Sequence, residues 1–197
     1  YYLRWLRYGP KTEKLVAQAH QRESWGEASW RAWQEESLAY ILILAATTVP
    51  YYQAHWDIRR RRGDQSNWKH LENWPALDKA VVRENPKQFI SNKSRRKYLH
   101  VEHTSGTTGD PTLVYLGREV IRQWFAIFEA RTKRWYGLNF KDPWGIFGGQ
   151  KIIPLDKNKP PYWVWNKGLN QVYFSIFHIN EDTVKDYVAA LWHYLPK

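Results

Sequence analysis

Residues 103–112 read His-Thr-Ser-Gly-Thr-Thr-Gly-Asp-Pro-Thr, and this string constrains the chain more than any other. Small or hydroxylated residues run without a break from Thr104 to Gly109. Before them comes an alternating apolar run, Tyr98 to Val101. After them comes a β-branched run, Thr112 to Tyr115. This order predicts strand, tight loop, strand. Gly106 and Gly109 permit positive φ and close approach of the backbone. Ser105, Thr107 and Thr108 add hydroxyl donors to the backbone N–H groups. A concave row of such donors suits a phosphate chain. A plain Ser/Thr/Gly hairpin loop is the alternative that composition alone leaves open.

The string is not a Walker phosphate loop. Counted from Gly106, that pattern requires Gly at 111 and Lys at 112, where this chain has Pro111 and Thr112. It resembles instead the Thr-Ser-Gly-Thr-Thr-Gly-x-Pro signature of the adenylate-forming superfamily, which includes acyl-CoA synthetases, peptide-synthetase adenylation domains and luciferases. Thr104 to Pro111 match that signature at every specified place. Thr112 stands where most members carry Lys. In this it is similar to the phenylacetate–CoA ligase branch and its relatives in capsular-polysaccharide gene clusters. Val49-Pro50-Tyr51-Tyr52 resembles an early element of that branch. So do Trp74-Pro75-Ala76-Leu77-Asp78-Lys79 and Val82-Arg83-Glu84-Asn85. The likeness covers roughly residues 38–197, and only the phosphate-loop string is specific.

The resemblance implies an α/β fold, namely the N-terminal part of the large domain of an adenylate-forming enzyme, with helices packed on mixed β-sheet. It divides the chain into a mainly helical lead-in, 1–97, and an α/β segment, 98–197, that carries the loop. It implies ATP and Mg, with CoA as an acceptor and a small carboxylic acid as substrate. In that reading Thr104, Ser105, Gly106, Thr107, Thr108, Gly109, Pro111 and Thr112 form the ATP phosphate site. Hydroxyls donate, the glycines give curvature and Pro111 fixes the exit. Asp110 is an odd neighbour for a polyanion. The family's Tyr-Gly-x-Thr-Glu segment, ribose-binding Asp, hinge and catalytic Lys would lie past Lys197, as would the Mg ligands and the small C-terminal domain. The segment alone is therefore expected to be inactive, with no catalytic residue of its own. The absence of Met agrees with a partial chain.

Bulk properties set outer bounds. Hydrophobic residues at 43% and aromatic residues at 17% are ample for a packed core. The longest apolar stretch, Leu38 to Ala46, is too short for a membrane span and fits a buried helix. With no Cys there is no disulfide framework, which fits a cytoplasmic protein. The net charge is +11. Arg59 to Arg62 form one basic cluster, and Lys93, Arg95, Arg96 and Lys97 form another. A basic nucleic-acid-binding module is the competing reading. Solvated surface is favoured over it, because the aromatics sit at core-like spacings.

Periodicity predicts a helix over roughly 27–48, with Trp30, Trp33, Ile41, Leu44 and Thr48 on one face. Asp78 is the expected N-cap of a short helix that Pro86 ends. A long helix is expected over 117–137. Ile121, Trp124, Phe125 and Phe128 would be its buried stripe and Gly137 its cap. Trp144–Phe147, Lys151–Pro154, Tyr162–Trp165 and Gln171–Ile176 read as strands, followed by a helix that Asn180 caps.

Two further sites are candidates for an acyl pocket. His178 follows an aromatic strand end, as an aromatic–His element does in the superfamily. Gly148 and Gly149 would let backbone approach a ligand. A hydrogen-bonded turn His and a plain glycine turn are the simpler alternatives. No histidine or carboxylate spacing suggests a metal site.

Overall fold

The computed structural model describes residues 1–104 and 111–195. The fold is mixed α/β and divides into two compact units, residues 20–121 and residues 1–19 with 122–197.

In the contiguous unit, α3 (Glu27–Thr48) is followed after one residue, Val49, by α4 (Pro50–Arg60). Pro50 occupies the first turn of α4, where its missing N–H is no loss. On α3, Leu42, Ala46 and Thr48 are buried, while Ile41 is exposed. The expected face is thus turned away from Ile41. α4 was not foreseen. It carries Trp56, which has no exposed surface and packs edge-on against Trp74, 5.1 Å between centroids. Tyr52 also meets Trp74, at 5.5 Å. Two of the supporting stretches, one at Val49–Tyr52 and one beginning at Trp74, therefore pack on each other. Asp78 caps α5 (Lys79–Glu84) by accepting a hydrogen bond from the Ala80 N–H at 2.7 Å, as its place in the sequence predicts. The unit then enters β1 (His100–His103), antiparallel to β2 (Leu113–Leu116).

The other unit is built on a three-stranded sheet. Its strands are β3 (Trp144–Gly148), β4 (Trp163–Asn166) and β5 (Gln171–Ser175), in the order β3-β5-β4. β3 runs parallel to β5, and β4 antiparallel. Lys151–Pro154 forms no strand. The two-residue period gives the sheet two faces. On one face Val172 and Phe174, both without exposed surface, pack with Tyr162 against Tyr187 and Ala190 of α7 (Val184–Tyr194).

Across the other face lie the aromatic residues of α6 (Arg118–Thr132), and α1 (Tyr2–Arg7) contributes Leu3 and Arg7. α2 (Thr12–Glu23) brings Val16 and Ala19 against Ala126 and Ala130 of α6. Arg122 ties α1 to α6 by donating to the carbonyls of Trp5, at 2.9 Å, and Tyr8, at 3.3 Å. The expected stripe on α6 is corrected at Trp124, which is 60% exposed. Small side chains, not the largest aromatics, mark where α2 approaches α6. α6 ends at Thr132, short of the expected 137; a 3-10 turn, Arg134–Tyr136, follows, and it is this turn that Gly137 caps, with a φ of +73° in the left-handed region. Among the described residues, no helix is long and apolar enough to cross a membrane.

Candidate functional site

The ladder of β1 and β2 pairs His103 with Leu113 at its loop end. One step beyond, the Thr104 N–H donates to the Thr112 carbonyl at 3.0 Å, and the Thr112 N–H donates to Thr104 Oγ1 at 3.1 Å. Two threonines thus clamp the neck of the connection. Thr104 and Pro111 are exposed. Thr112 is buried, and its hydroxyl has no hydrogen-bond partner among the described residues. Its visible part is that of an anchor, through its backbone. Ser105, Gly106, Thr107, Thr108 and Gly109, on which the phosphate reading chiefly rests, lie outside the described residues.

In the other unit, a groove of about 470 Å³ opens on the free face of the sheet. Register explains its floor. Ile146, Tyr173 and Val164 form one cross-strand row, and Trp144, Gln171 and Asn166 form the next. Trp124, Phe125 and Phe128 of α6 make the facing wall. Trp124 and Phe128 lie nearly parallel, with 18° between planes. Arg7 also lines the groove, its guanidinium 4.4 Å from the centre of the Phe125 ring.

The proposed acyl-pocket residues fall at different distances from this groove. Gly148 ends β3, where a Cβ would lie 2.2 Å from the Tyr173 hydroxyl. Glycine here makes room for a side chain that forms part of the groove. Gly149 follows, and Gln150 lines the groove itself. His178 does not line it. The imidazole is buried, stacks on Tyr162 at 5.4 Å, and faces Ser175 Oγ at 2.8 Å and the Pro154 carbonyl at 3.1 Å. With Nε2 donating to Pro154, Nδ1 accepts from the Ser175 hydroxyl. Both ring nitrogens are engaged, which is the hydrogen-bonded turn histidine of the simpler reading.

Behind Trp144 lies an ionic cluster that the sequence did not suggest. Glu129 has no exposed surface. Lys133 Nζ lies 3.7 Å from its Oε2, and Arg134 Nε lies 3.4 Å from its Oε1. Arg134 also makes a two-pronged pair with Glu13, at 2.8 and 3.0 Å. Lys133 Nζ sits 4.4 Å from the centre of the Trp144 ring. Burial raises the Glu129 carboxyl above its ordinary value and lowers the Lys133 ammonium below its own, and each partner's charge partly offsets the shift. Burial also pushes the Tyr8 phenol up to about 12, with Glu129 adding to the shift. Among the described residues, no group of three or more His, Cys, Asp or Glu could hold a metal ion.

No protein-family model matches the chain, and no solved structure matches it. It is similar to Protein CapK of Staphylococcus aureus, at 26% identity over 136 residues. That match takes in 65% of this chain and spans 28% of the length of CapK.

Proposed function

We propose that the intact protein activates a carboxylic acid with ATP through an acyl-adenylate. Residues 20–121 would supply the hairpin that holds the phosphates. The observation that carries this reading is the string from Thr104 to Pro111, set between antiparallel strands whose neck is clamped by Thr104 and Thr112. In this reading the acid's carboxylate attacks the α-phosphorus of ATP, and pyrophosphate leaves. A thiol such as CoA then attacks the acyl carbon, the acyl–phosphate bond breaks and AMP leaves. The loop's contribution is electrostatic. Preorganised backbone and hydroxyl donors would draw charge onto the departing pyrophosphate. Mg would act with the nucleotide, and no described residue is assigned to it. The chain would then be the N-terminal part of an adenylate-forming large domain. The likeness to Protein CapK supports the capsule-associated relatives of the phenylacetate–CoA ligase branch over the other branches.

The test is acid-dependent exchange of labelled pyrophosphate into ATP by the full-length protein, screened with aryl-acetates, benzoates and fatty acids. Exchange is expected with at least one acid. Gly106→Val is expected to abolish it, because a branched side chain disfavours positive φ and stands where phosphates approach. Ser105→Ala removes one donor of several, and loss of one such donor costs at most about 3–4 kcal/mol. Absence of exchange with every acid, together with absence of ATP binding, refutes the proposal.

A further inference from the structure

We infer that the groove on the free face of the β3-β5-β4 sheet binds an uncharged pyranose ring. The inference does not rest on the phosphate-loop reading, since the groove is built wholly from residues 1–19 and 122–197.

Its volume of about 470 Å³ falls in the range of roughly 300–1,000 Å³ typical of small-ligand sites. Its lining combines two chemistries. Trp124, Phe128 and Trp144 offer flat apolar surface, and Trp124 stands largely exposed on the α6 wall. Gln150, Asn166 and Gln171 offer carboxamides, and Tyr173 offers a phenol. Among the described residues, no carboxylate lines the groove.

Gln171 is the decisive residue. It is only 6% exposed as a residue, yet its carboxamide atoms are not among the buried, unpaired polar atoms of the described residues, so they open onto the groove. Its place in the register puts it between Trp144 and Asn166 on the groove floor. A carboxamide that opens onto a groove holds water there; a ligand hydroxyl can replace that water, whereas an apolar occupant strips it at a cost. Tyr173, in the neighbouring cross-strand row, lines the same groove and adds a phenol hydroxyl. Asn166 spends Oδ1 on the Leu169 N–H at 3.2 Å, which leaves its NH₂ donors for a ligand.

A pyranose meets these demands together. One face of the ring is a patch of C–H groups that stacks on an aromatic side chain. Its edge is a circle of hydroxyls, each both donor and acceptor. Such hydroxyls match carboxamides, which likewise carry both functions. A purely apolar ligand would leave Gln171 unpaired. An anionic ligand would call for more cationic lining; among the described residues Arg7 alone supplies it, and its guanidinium is set over the Phe125 ring.

The experiment titrates full-length protein with a panel of methyl pyranosides (gluco, galacto, manno and N-acetylglucosamine forms), with benzoate and phenylacetate as contrasts. Tryptophan fluorescence and saturation-transfer NMR report binding. At least one pyranoside is expected to saturate, with its ring C–H protons carrying the strongest transfer. Gln171→Leu is expected to weaken it about tenfold or more, which corresponds to about 1.4 kcal/mol. Tyr173→Phe removes a single hydroxyl and gives a second measurement if the first variant misfolds; it is expected to weaken binding severalfold. Failure of every pyranoside to saturate overturns the inference. So does binding of an aryl carboxylate with no pyranoside bound, or pyranoside affinity unchanged in both variants.

Discussion

Lys133→Met is the most direct probe of how the unit that carries the groove is held together. The substitution keeps the length and apolar stem of the side chain and removes its charge. It leaves Glu129, which has no exposed surface, without the ammonium 3.7 Å away. Deleting one member of a buried ion pair costs roughly 3–5 kcal/mol. Arg134 Nε remains 3.4 Å from the same carboxylate, so the expected cost lies lower, at about 2–3 kcal/mol. Glu129→Leu alone strands Lys133 and should cost about as much. The double variant removes both charges, and Arg134 keeps its paired bonds to Glu13. It is expected to cost about 1 kcal/mol or less, giving a coupling of about 3 kcal/mol or more.

Acidity supplies a second reading of the same variant. Burial raises the Glu129 carboxyl above its ordinary value of 4.5, while Lys133 and Arg134 pull it back. Removing Lys133 lets it rise further. For a group raised on folding, the linked stability is complete below the unfolded value and is lost as pH rises through the folded one. The deficit of Lys133→Met should therefore shrink as pH falls from neutrality toward 4.5, because a protonated Glu129 needs no counter-ion. Urea titrations followed by tryptophan fluorescence at neutral and mildly acidic pH measure both effects. Additive single costs, or a Lys133→Met deficit below about 0.5 kcal/mol, or one that does not shrink on acidification, would refute the reasoning.

Two further variants test the sheet. The Tyr187 hydroxyl donates to the Ser175 carbonyl at 2.7 Å, so Tyr187→Phe should cost about 1–2 kcal/mol in urea titration. Burial pushes Tyr187 and Tyr8 up to about 12 from 10.0. Stability linked to them is complete below pH 10 and lost toward pH 12. Tyr187→Phe should lose less in that window than the parent chain, and an equal loss in both would count against the assignment. Gly148→Ala would set a Cβ 2.2 Å from the Tyr173 hydroxyl, whereas at Gly149 the nearest atom is 3.8 Å away. The first should cost about 1–3 kcal/mol and the second under about 0.5; similar thermal midpoints for the two would contradict the packing described.

The sequence is most legible where one local signal governs the outcome. The helix 27–48 is bounded as its pattern predicts, Asp78 caps where its side chain suggests, and Gly137 takes the left-handed turn. β3, β4 and β5 follow from short apolar runs between turns. Legibility fails where partners decide. Ala126 and Ala130 mark the buried face of α6 because α2 approaches closely, yet a reading weighted by large side chains chooses Trp124. Glu129 and Lys133, four residues apart, look like a solvent-facing pair. Only their position behind Trp144 makes them a buried one. α4 is hidden in the sequence because a proline at 50 and four arginines at 59–62 resemble a break and a loop.

The groove was not legible at all. Gln171 reads as a polar residue at a strand start. Its place between Trp144 and Asn166 depends on cross-strand register, which a single sequence does not show. For His178 the resemblance offers an acyl-pocket place and the turn sequence offers a hydrogen-bonded turn histidine, and a single sequence does not choose between them. In the structure the 3-10 turn Ile176–His178 after β5 sets its Nδ1 2.8 Å from Ser175 Oγ. For the phosphate loop, the structure supplies only the frame, in the strands and the two threonines of the neck.

One unit is assembled from segments far apart in the chain: residues 1–19 and residues 122–197. On a ribosome the first segment emerges early and then waits. At about 5–20 residues per second, roughly five to twenty seconds pass before Ala126 and Ala130 exist for Val16 and Ala19 to cover. Residues 20–121 form a contiguous unit and are free to condense in that interval. Residues 1–19 carry Arg4, Arg7, Lys11, Glu13 and Lys14, charges that keep this segment hydrated until residues 122–197 return to cover Val16 and Ala19.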